Sequence, residues 1–347
     1  MTMGLPPLQP DVHFVAGDLD WVRALQEDDV DAIDLKTLSH SPSTCWVGTT
    51  CYRWKQAGLP CTISDQFRTD ALNVCIQWDL PAKARLYRYF IAACRSDGPT
   101  PWHADAVLVQ NPLQHDGVKS FFVPHWPQPD LLPRNLQRGN TIQRIVFVGT
   151  PNNLWTPFHS ASFNQALAAL GVQLVMMTPE TGTGWTDYTQ ADLVLAVRSL
   201  TQTDYWGKPA SKLVNAWIAG VPAILGPEPA FRALRRSRYD YYETQSPDAV
   251  IAFIRHLQSH PQEYNRYRDQ CALRADDFTT PRMVERWAAL LYGPIGRLFL
   301  DWHQHRRRRV AAAMATYPLA YLRRLWIDRR YRHDRDLGYR PFEPHNP

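Results

Sequence analysis

Short, unbroken apolar runs alternate with polar stretches of helical spacing along most of the chain. In the first half the runs fall at 12–16, 61–63, 72–76, 89–94, 106–109 and 120–123. Continuous rather than alternating apolar runs are the pattern of strands buried on both faces of a parallel sheet. Ser41 and Pro42 read as the N-cap and first residue of a helix running to about Ala57, with Gly58 as its stop. The second half starts the alternation afresh. Strands are predicted at 142–148, 172–177, 193–197 and 222–225, and helices at 160–170, 209–219, 246–259, 261–276 and 281–292. The fold class is therefore α/β, and no internal sequence repeat accompanies it. A proline-rich stretch from Pro124 to Pro133, polar as far as Thr141, divides the halves. The predicted limits are 1–137 for the first domain, 138–292 for the second and 293–347 for a helical extension.

A length of 347 residues suits two domains at ~100–200 residues each. The net charge of +5 is unevenly placed: residues 301–340 carry 11 Arg and 4 Asp, net +7, which leaves −2 for the rest. A nearly neutral body argues against nucleic acid as the main partner, and none is expected. Cys45, Cys51, Cys61, Cys75, Cys94 and Cys271 form no C-x-x-C pair and read as buried, reduced thiols. The N-terminus lacks the charged start and apolar stretch of a signal peptide. No run approaches the ~18–20 apolar residues of a membrane span. The expected location is cytoplasmic, with contact at the inner face of a membrane left open.

In open parallel sheets, ligands bind beyond the carboxyl ends of the strands. In the second half those ends offer Gly149-Thr150, Arg198 and Gly226-Pro-Glu228. Lys208, Ser211 and Lys212 stand at the start of the intervening helix, where free N–H groups and the helix dipole favour anions. Arg198, Lys208, Ser211 and Lys212 are thus candidates to bind a diphosphate. Asn215, one turn beyond Ser211, and Glu228 are candidates for ribose or sugar hydroxyls. The same residues also suit a plainer reading, with the lysines solvated at a helix start and Glu228 capping the next helix. A basic, helix-capped pocket with one carboxylate fits a nucleoside diphosphate sugar, used as a co-substrate without a separate cofactor.

The run Lys208-Pro-Ala-Ser-Lys-Leu-Val-Asn-Ala-Trp-Ile-Ala-Gly-Val-Pro-Ala-Ile-Leu-Gly-Pro-Glu228 resembles the donor-site signature of GT-B glycosyltransferases. Its Asn-Ala-Trp-Ile-Ala-Gly-Val-Pro core is similar to their E-A-M-A-x-G-x-P element. The resemblance spans about 193–291 and is weaker in the first half, at Trp46-Val-Gly-Thr-Thr and Val109-Gln-Asn-Pro. It implies two Rossmann-like domains facing a cleft, with a nucleotide-sugar donor held by the second and an acceptor held mostly by the first. Many retaining members carry two glutamates where this chain has Asn215 and Gly207, so the donor sugar and the stereochemical outcome stay open.

For the acceptor side, His125 stands between a strand and the proline-rich connection. Two roles are open to it: general base toward a hydroxyl, or hydrogen-bond donor to the leaving phosphate. A packed histidine in a Pro/Trp corner is the alternative. Asp97 is the second candidate base, with His40 and Asp18 behind it. Asp18-Leu-Asp20 and Asp29-Val-Asp31 have metal-holding spacing but read as solvated charge, and no metal is predicted. In the tail, Arg306 to Arg309 precede Val310, Met314, Tyr317, Tyr321 and Leu325 at near-helical spacing, with Leu322 and Trp326 widening the stripe. Pro318 should kink this helix or begin another. The tail either packs on the first domain or touches anionic lipid through 306–332, as a lipid-linked glycan acceptor would favour. The expected function is sugar transfer to an acceptor hydroxyl, such as that of a glycan or lipid-linked glycan. A nucleotide-sugar epimerase and a non-catalytic adaptor recruited through the tail are the alternatives.

Overall fold

The computed structural model describes residues 9–26, 30, 33–34, 41–80, 87–178, 185–198 and 207–336, and within 331–336 only the side chain of His333. Asp29, Asp31 and His40 lie outside the described residues. The chain divides into two units, Met1–Trp126 with Thr280–Pro347, and Pro127–Thr279.

The first unit is built on a six-stranded sheet in the order β2-β1-β3-β4-β5-β6, with every neighbouring pair parallel. Its strands are β1 (Val12–Val15), β2 (Thr62–Ser64), β3 (Leu72–Ile76), β4 (Phe90–Cys94), β5 (Ala106–Val109) and β6 (Ser120–Phe122). All residues of β1, β3, β4 and β5 are buried, as the unbroken apolar runs predict. Helix α1 (Leu19–Gln26) was not predicted; Asp18 starts it by accepting from the Trp21 N–H. Ser41 does begin the next helical segment. Its hydroxyl accepts from the Thr44 N–H while the Thr44 hydroxyl accepts from the Ser41 N–H, a reciprocal cap. The segment opens with a π-helical turn, Thr44–Gly48, before α2 (Thr49–Gln56). Cys51, Cys75 and Cys94 are buried free thiols in this unit, as Cys271 is in the other.

Helices α8 (Thr280–Leu291), α9 (Pro294–Gln304) and α10 (Arg306–Asp336) also belong to this unit. Trp287 of α8 meets Trp46 edge-on at 6.1 Å, and Phe299 and Trp302 of α9 pack on Phe90 of β4. α8 therefore goes with the first unit, whereas the sequence placed it in the second. α10 runs through Pro318 without a second helix beginning there. Its Tyr317 packs against Tyr87 and Trp102, so the tail packs on the first unit.

The second unit holds a five-stranded parallel sheet, β11-β10-β9-β7-β8. It comprises β7 (Arg144–Val148), β8 (Gln173–Met177), β9 (Leu193–Ala196), β10 (Ala223–Leu225) and β11 (Tyr242–Glu243). Around it lie α3 (Ala161–Ala169), α4 (Ser211–Ala219), α5 (Pro229–Leu234), α6 (Pro247–Ser259) and α7 (Pro261–Ala275). Gly220 ends α4 in the left-handed conformation at φ 67°, as a C-terminal glycine does. Trp217 fixes α4 in place. Its indole N–H donates to the Asp240 carbonyl, and Arg274 lies over its ring.

The proline-rich connection belongs to this second unit from Pro127 onward, which moves the boundary back from 137. The reason is a buried ion cluster. Asp192, just before β9, accepts from Arg134 at 2.9 Å and from Arg138 at 2.7 and 2.8 Å. The backbone N–H groups of Gln143 and Arg144 donate to the same carboxylate. Five contacts to one buried carboxylate bind the connection to the sheet it precedes.

Candidate functional site

In both sheets the first strand of the unit lies between the second and third, so the winding reverses beside it. That topological switch point is where open α/β sheets bind ligands, beyond the strand carboxyl ends. The two candidate sets occupy different units.

In the second unit the switch point lies between β7 and β9. Lys212, in the first turn of α4, sends its ammonium to the carbonyl of Val148 at the end of β7 and over the Phe147 ring. Gly149 makes this possible. A Cβ there would lie 2.7 Å from Lys212 Nζ, and its φ of 138° excludes side chains. Arg198, after β9, lies 3.6 Å from the carboxylate of Glu228, after β10. Burial, with Arg198 and Lys208 adding to it and Glu228 opposing, pushes the Lys212 pKa down to about 8. The strand ends and the helix start thus bring Arg198, Lys208, Lys212 and Glu228 within electrostatic reach of one another.

α4 begins without a side-chain cap, because its N-cap position is Ala210. Ser211 is its first residue. Uncapped N–H groups next to buried cations are what binding of an anion requires. Glu228 occupies the N-cap position of α5, yet its side chain makes no cap bond. At 2% exposure it is turned inward toward Arg198 instead. Asn215 is not brought to this cluster. Its amide accepts from the Gln128 N–H at 3.2 Å and faces the Gln128 side chain, which ties α4 to the proline-rich connection.

In the first unit the candidates stand at neighbouring strand ends. His125 follows β6, Gln110 follows β5 and Asp97 follows β4. The Gln110 amide reaches Asp97 at 3.5 Å. His125 donates from Nδ1 to the Trp126 carbonyl at 2.8 Å, which leaves Nε2 as the free lone pair. Trp46, from the π-helical turn, meets the imidazole edge-on at 5.1 Å, and Trp126 Nε1 donates to Thr50 of α2. Burial lowers the His125 pKa, while the Trp126 carbonyl and the charge of Asp97 raise it. The ring is therefore held in one tautomer and stays neutral, the state a general base needs.

Asp79 was missed in the sequence. It follows β3 and accepts from Ser43 at 3.0 Å and from the Gly17 N–H at 3.3 Å, at the reversal between β1 and β3. Burial raises its pKa against those two hydrogen bonds. The only signal was a Trp-Asp pair closing a buried run. Asp18 caps α1, and Asp20 pairs with Arg23.

No protein-family model and no curated protein sequence matches the chain. Among solved structures it is similar to HepE of Anabaena in complex with UDP-glucose, with TM-score 0.47 and 11% identity over 81% of this chain and 99% of that one. It is similar to sucrose-phosphate synthase from Thermosynechococcus elongatus, with TM-score 0.48 and 12% identity over 84% and 100%. It is also similar to AviGT4, a glycosyltransferase involved in avilamycin A biosynthesis, with TM-score 0.44 and 12% identity over 82% and 98%. At such identities the likeness concerns the backbone alone. Two parallel, Rossmann-like α/β units with a helical C-terminal region are the fold class expected for a GT-B chain.

Proposed function

We propose that the protein transfers a sugar from a nucleoside diphosphate sugar to an acceptor hydroxyl. The observation that carries this reading is the meeting of Lys212, Arg198 and Lys208 with the uncapped start of α4 at the switch point of the second sheet. Two negative phosphates at that point would replace the Val148 carbonyl as partner of the Lys212 ammonium. The leaving diphosphate is then stabilised by fixed N–H dipoles and cations, so no metal is needed to offset its charge. Ser211 adds a hydroxyl donor, and Glu228 accepts from ribose or sugar hydroxyls. Asn215 is assigned a lesser part, since its amide already holds Gln128. On the first unit, His125 Nε2 takes the acceptor proton, with Asp97 supporting the charge that forms.

The test is nucleotide binding by Lys212→Ala. Titration calorimetry with UDP, GDP and ADP should find one nucleotide bound by the wild type. The variant should lose at least about tenfold in affinity, as removal of a charge-assisted hydrogen bond worth about 1.5–3 kcal/mol requires. An unchanged affinity in a folded variant would sink the assignment.

We further propose that α10 contacts an anionic membrane surface, which suits a lipid-linked glycan as acceptor. Leu319, Leu322 and Trp326 are 73%, 62% and 60% exposed on a helix that also carries Arg323, Arg329 and Arg330. Exposed apolar and aromatic side chains among arginines suit the headgroup region of anionic lipid. No helix among the described residues is long and apolar enough to cross a membrane, so this contact would be peripheral.

A further inference from the structure

In the first unit, a cavity of about 300 Å³ opens beside the end of β3 and is closed on one side by α10. That size lies at the small end of ligand pockets, which run ~300–1,000 Å³. Gln77, Trp78, Trp102 and His103 line it from the sheet side, and Arg324 and Asp328 from α10. Both polar atoms of the Gln77 amide, the Trp102 indole N–H and both ring nitrogens of His103 are buried there, without a hydrogen-bond partner among the described residues. Buried polar atoms are rarely left unpaired, and each costs about 1–3 kcal/mol when they are. Five of them on three residues that line one cavity are the polar groups a ligand there would satisfy.

Their chemistry narrows the class. A glutamine amide offers a donor and an acceptor. So does a neutral imidazole, and burial beside Arg324 and Lys119 pushes the His103 pKa down to about 4. Such a lining disfavours an anion, because the Gln77 carbonyl and the free His103 nitrogen would face it with lone pairs. Arg324 and Asp328 neutralise each other at 2.9 Å, so they do not call for an ion. What remains is a neutral ligand with donors and acceptors spread around it, set against aromatic faces. Trp78 is 56% exposed at the rim. Gly98 lets it and Gln77 close in, since a Cβ at 98 would stand 2.6 Å from Gln77 Nε2 and 2.7 Å from the Trp78 ring. Hydroxyl-bearing rings with one apolar face meet all of these demands. A nucleobase, polar along one edge only, would leave part of the lining unpaired.

We infer that this cavity binds a neutral saccharide ring, lying on Trp78 and hydrogen-bonded by Gln77, Trp102 and His103. That the saccharide belongs to the acceptor rests on the sugar-transfer reading; that the cavity binds it does not.

Saturation-transfer difference NMR on the full-length protein tests this, with methyl α-D-glucopyranoside, methyl β-D-galactopyranoside, maltose and AMP as probes. At least one glycoside should receive saturation from the wild type. That signal should fall at least about fivefold in Trp78→Ala and in Gln77→Ala, and persist in Trp78→Phe, which keeps an aromatic face. Circular dichroism confirms that each variant is folded, and the exposure of Trp78 makes its removal mild for the fold. Lys212→Ala should leave the glycoside signal intact. If Lys212→Ala binds nucleotide normally while Trp78→Ala loses the glycoside, the transfer reading fails and the saccharide pocket stands. No glycoside signal, a signal equal in wild type and both pocket variants, or saturation of AMP alone would each overturn the proposal.

Discussion

Lys212 is a buried amine that a bound anion would favour in its charged form. Burial comes first in lowering its pKa to about 8, followed by Arg198 and Lys208. A bound diphosphate would oppose all three and draw a proton onto the amine. Nucleotide affinity should therefore be high below pH 8 and fall as pH rises through it. Titrations from pH 6.5 to 9.5 should show at least about a tenfold decline in the wild type and a flat, weak profile in Lys212→Ala. A flat wild-type profile would remove Lys212 from the phosphate site. The same shift acts on stability. Between pH 8 and 10.5 the unfolded chain holds the proton that the folded chain gives up, so folding loses free energy as pH falls across that window. The loss is at most about 3 kcal/mol at neutral pH. Lys212→Met should thus melt higher than the wild type at pH 7 while failing to bind nucleotide.

At the scale of elements, the connection between the units is fastened by chemistry that its composition hides. Arg134 and Asp192 are 1% and 0% exposed at their side chains and 2.9 Å apart. Burial raises the Asp192 pKa, but Arg138, the Gln143 N–H, Arg134 and the Arg144 N–H together bring it below the ordinary carboxylate range. Its contribution to stability is therefore present above the unfolded value near 3.9 and is lost as pH falls through the folded one. Asp192→Ala leaves the buried Arg134 guanidinium unpaired, which should cost about 3–5 kcal/mol. Urea unfolding at pH 7 checks this, and a loss under about 1 kcal/mol would mean that the cluster relaxes into water. A second element-scale device is the π-helical turn at Thr44–Gly48, which puts Trp46 against His125. Such turns often accompany functional positions. The N-cap at Ser41 and the stop at Gly58 were readable at the ends of the whole helical segment, but nothing in the residues announced the widened turn within it.

At the scale of the whole molecule, the chain leaves its first unit at Trp126 and returns to it at Thr280. The returning segment ends in α10, whose Tyr317 faces Tyr87 and Trp102 while its Leu319, Leu322 and Trp326 are exposed. Both readings of the tail therefore keep a place, on different faces of one helix. Co-sedimentation with vesicles should find the protein on phosphatidylglycerol-containing liposomes at low salt and not on pure phosphatidylcholine. Binding should fall with salt and drop several-fold in Leu322→Asp/Trp326→Asp, which removes apolar area from the headgroup region and adds two negative charges. Equal recovery on both lipids would count against the membrane contact.

What the residues determined alone was local. Unbroken apolar runs foretold nearly every strand, because a strand buried on both faces has no polar side to show. Proline, glycine and serine at helix ends set the limits of α3, α4, α6 and α7 to within a residue or two, because caps act within one turn. The basic start of α4 was legible for the same reason, as its residues are close in sequence. Only the tertiary structure decided which sheet owns the 127–143 connection and α8, since that depends on Asp192 and Trp46, far along the chain from what they hold. It also turned Asn215 toward Gln128, gathered Asp79 with Gly17, and assembled Gln77, Trp102 and Arg324 around one cavity. Long-range pairing leaves no periodic trace, so contacts of that kind become visible only once the chain has folded.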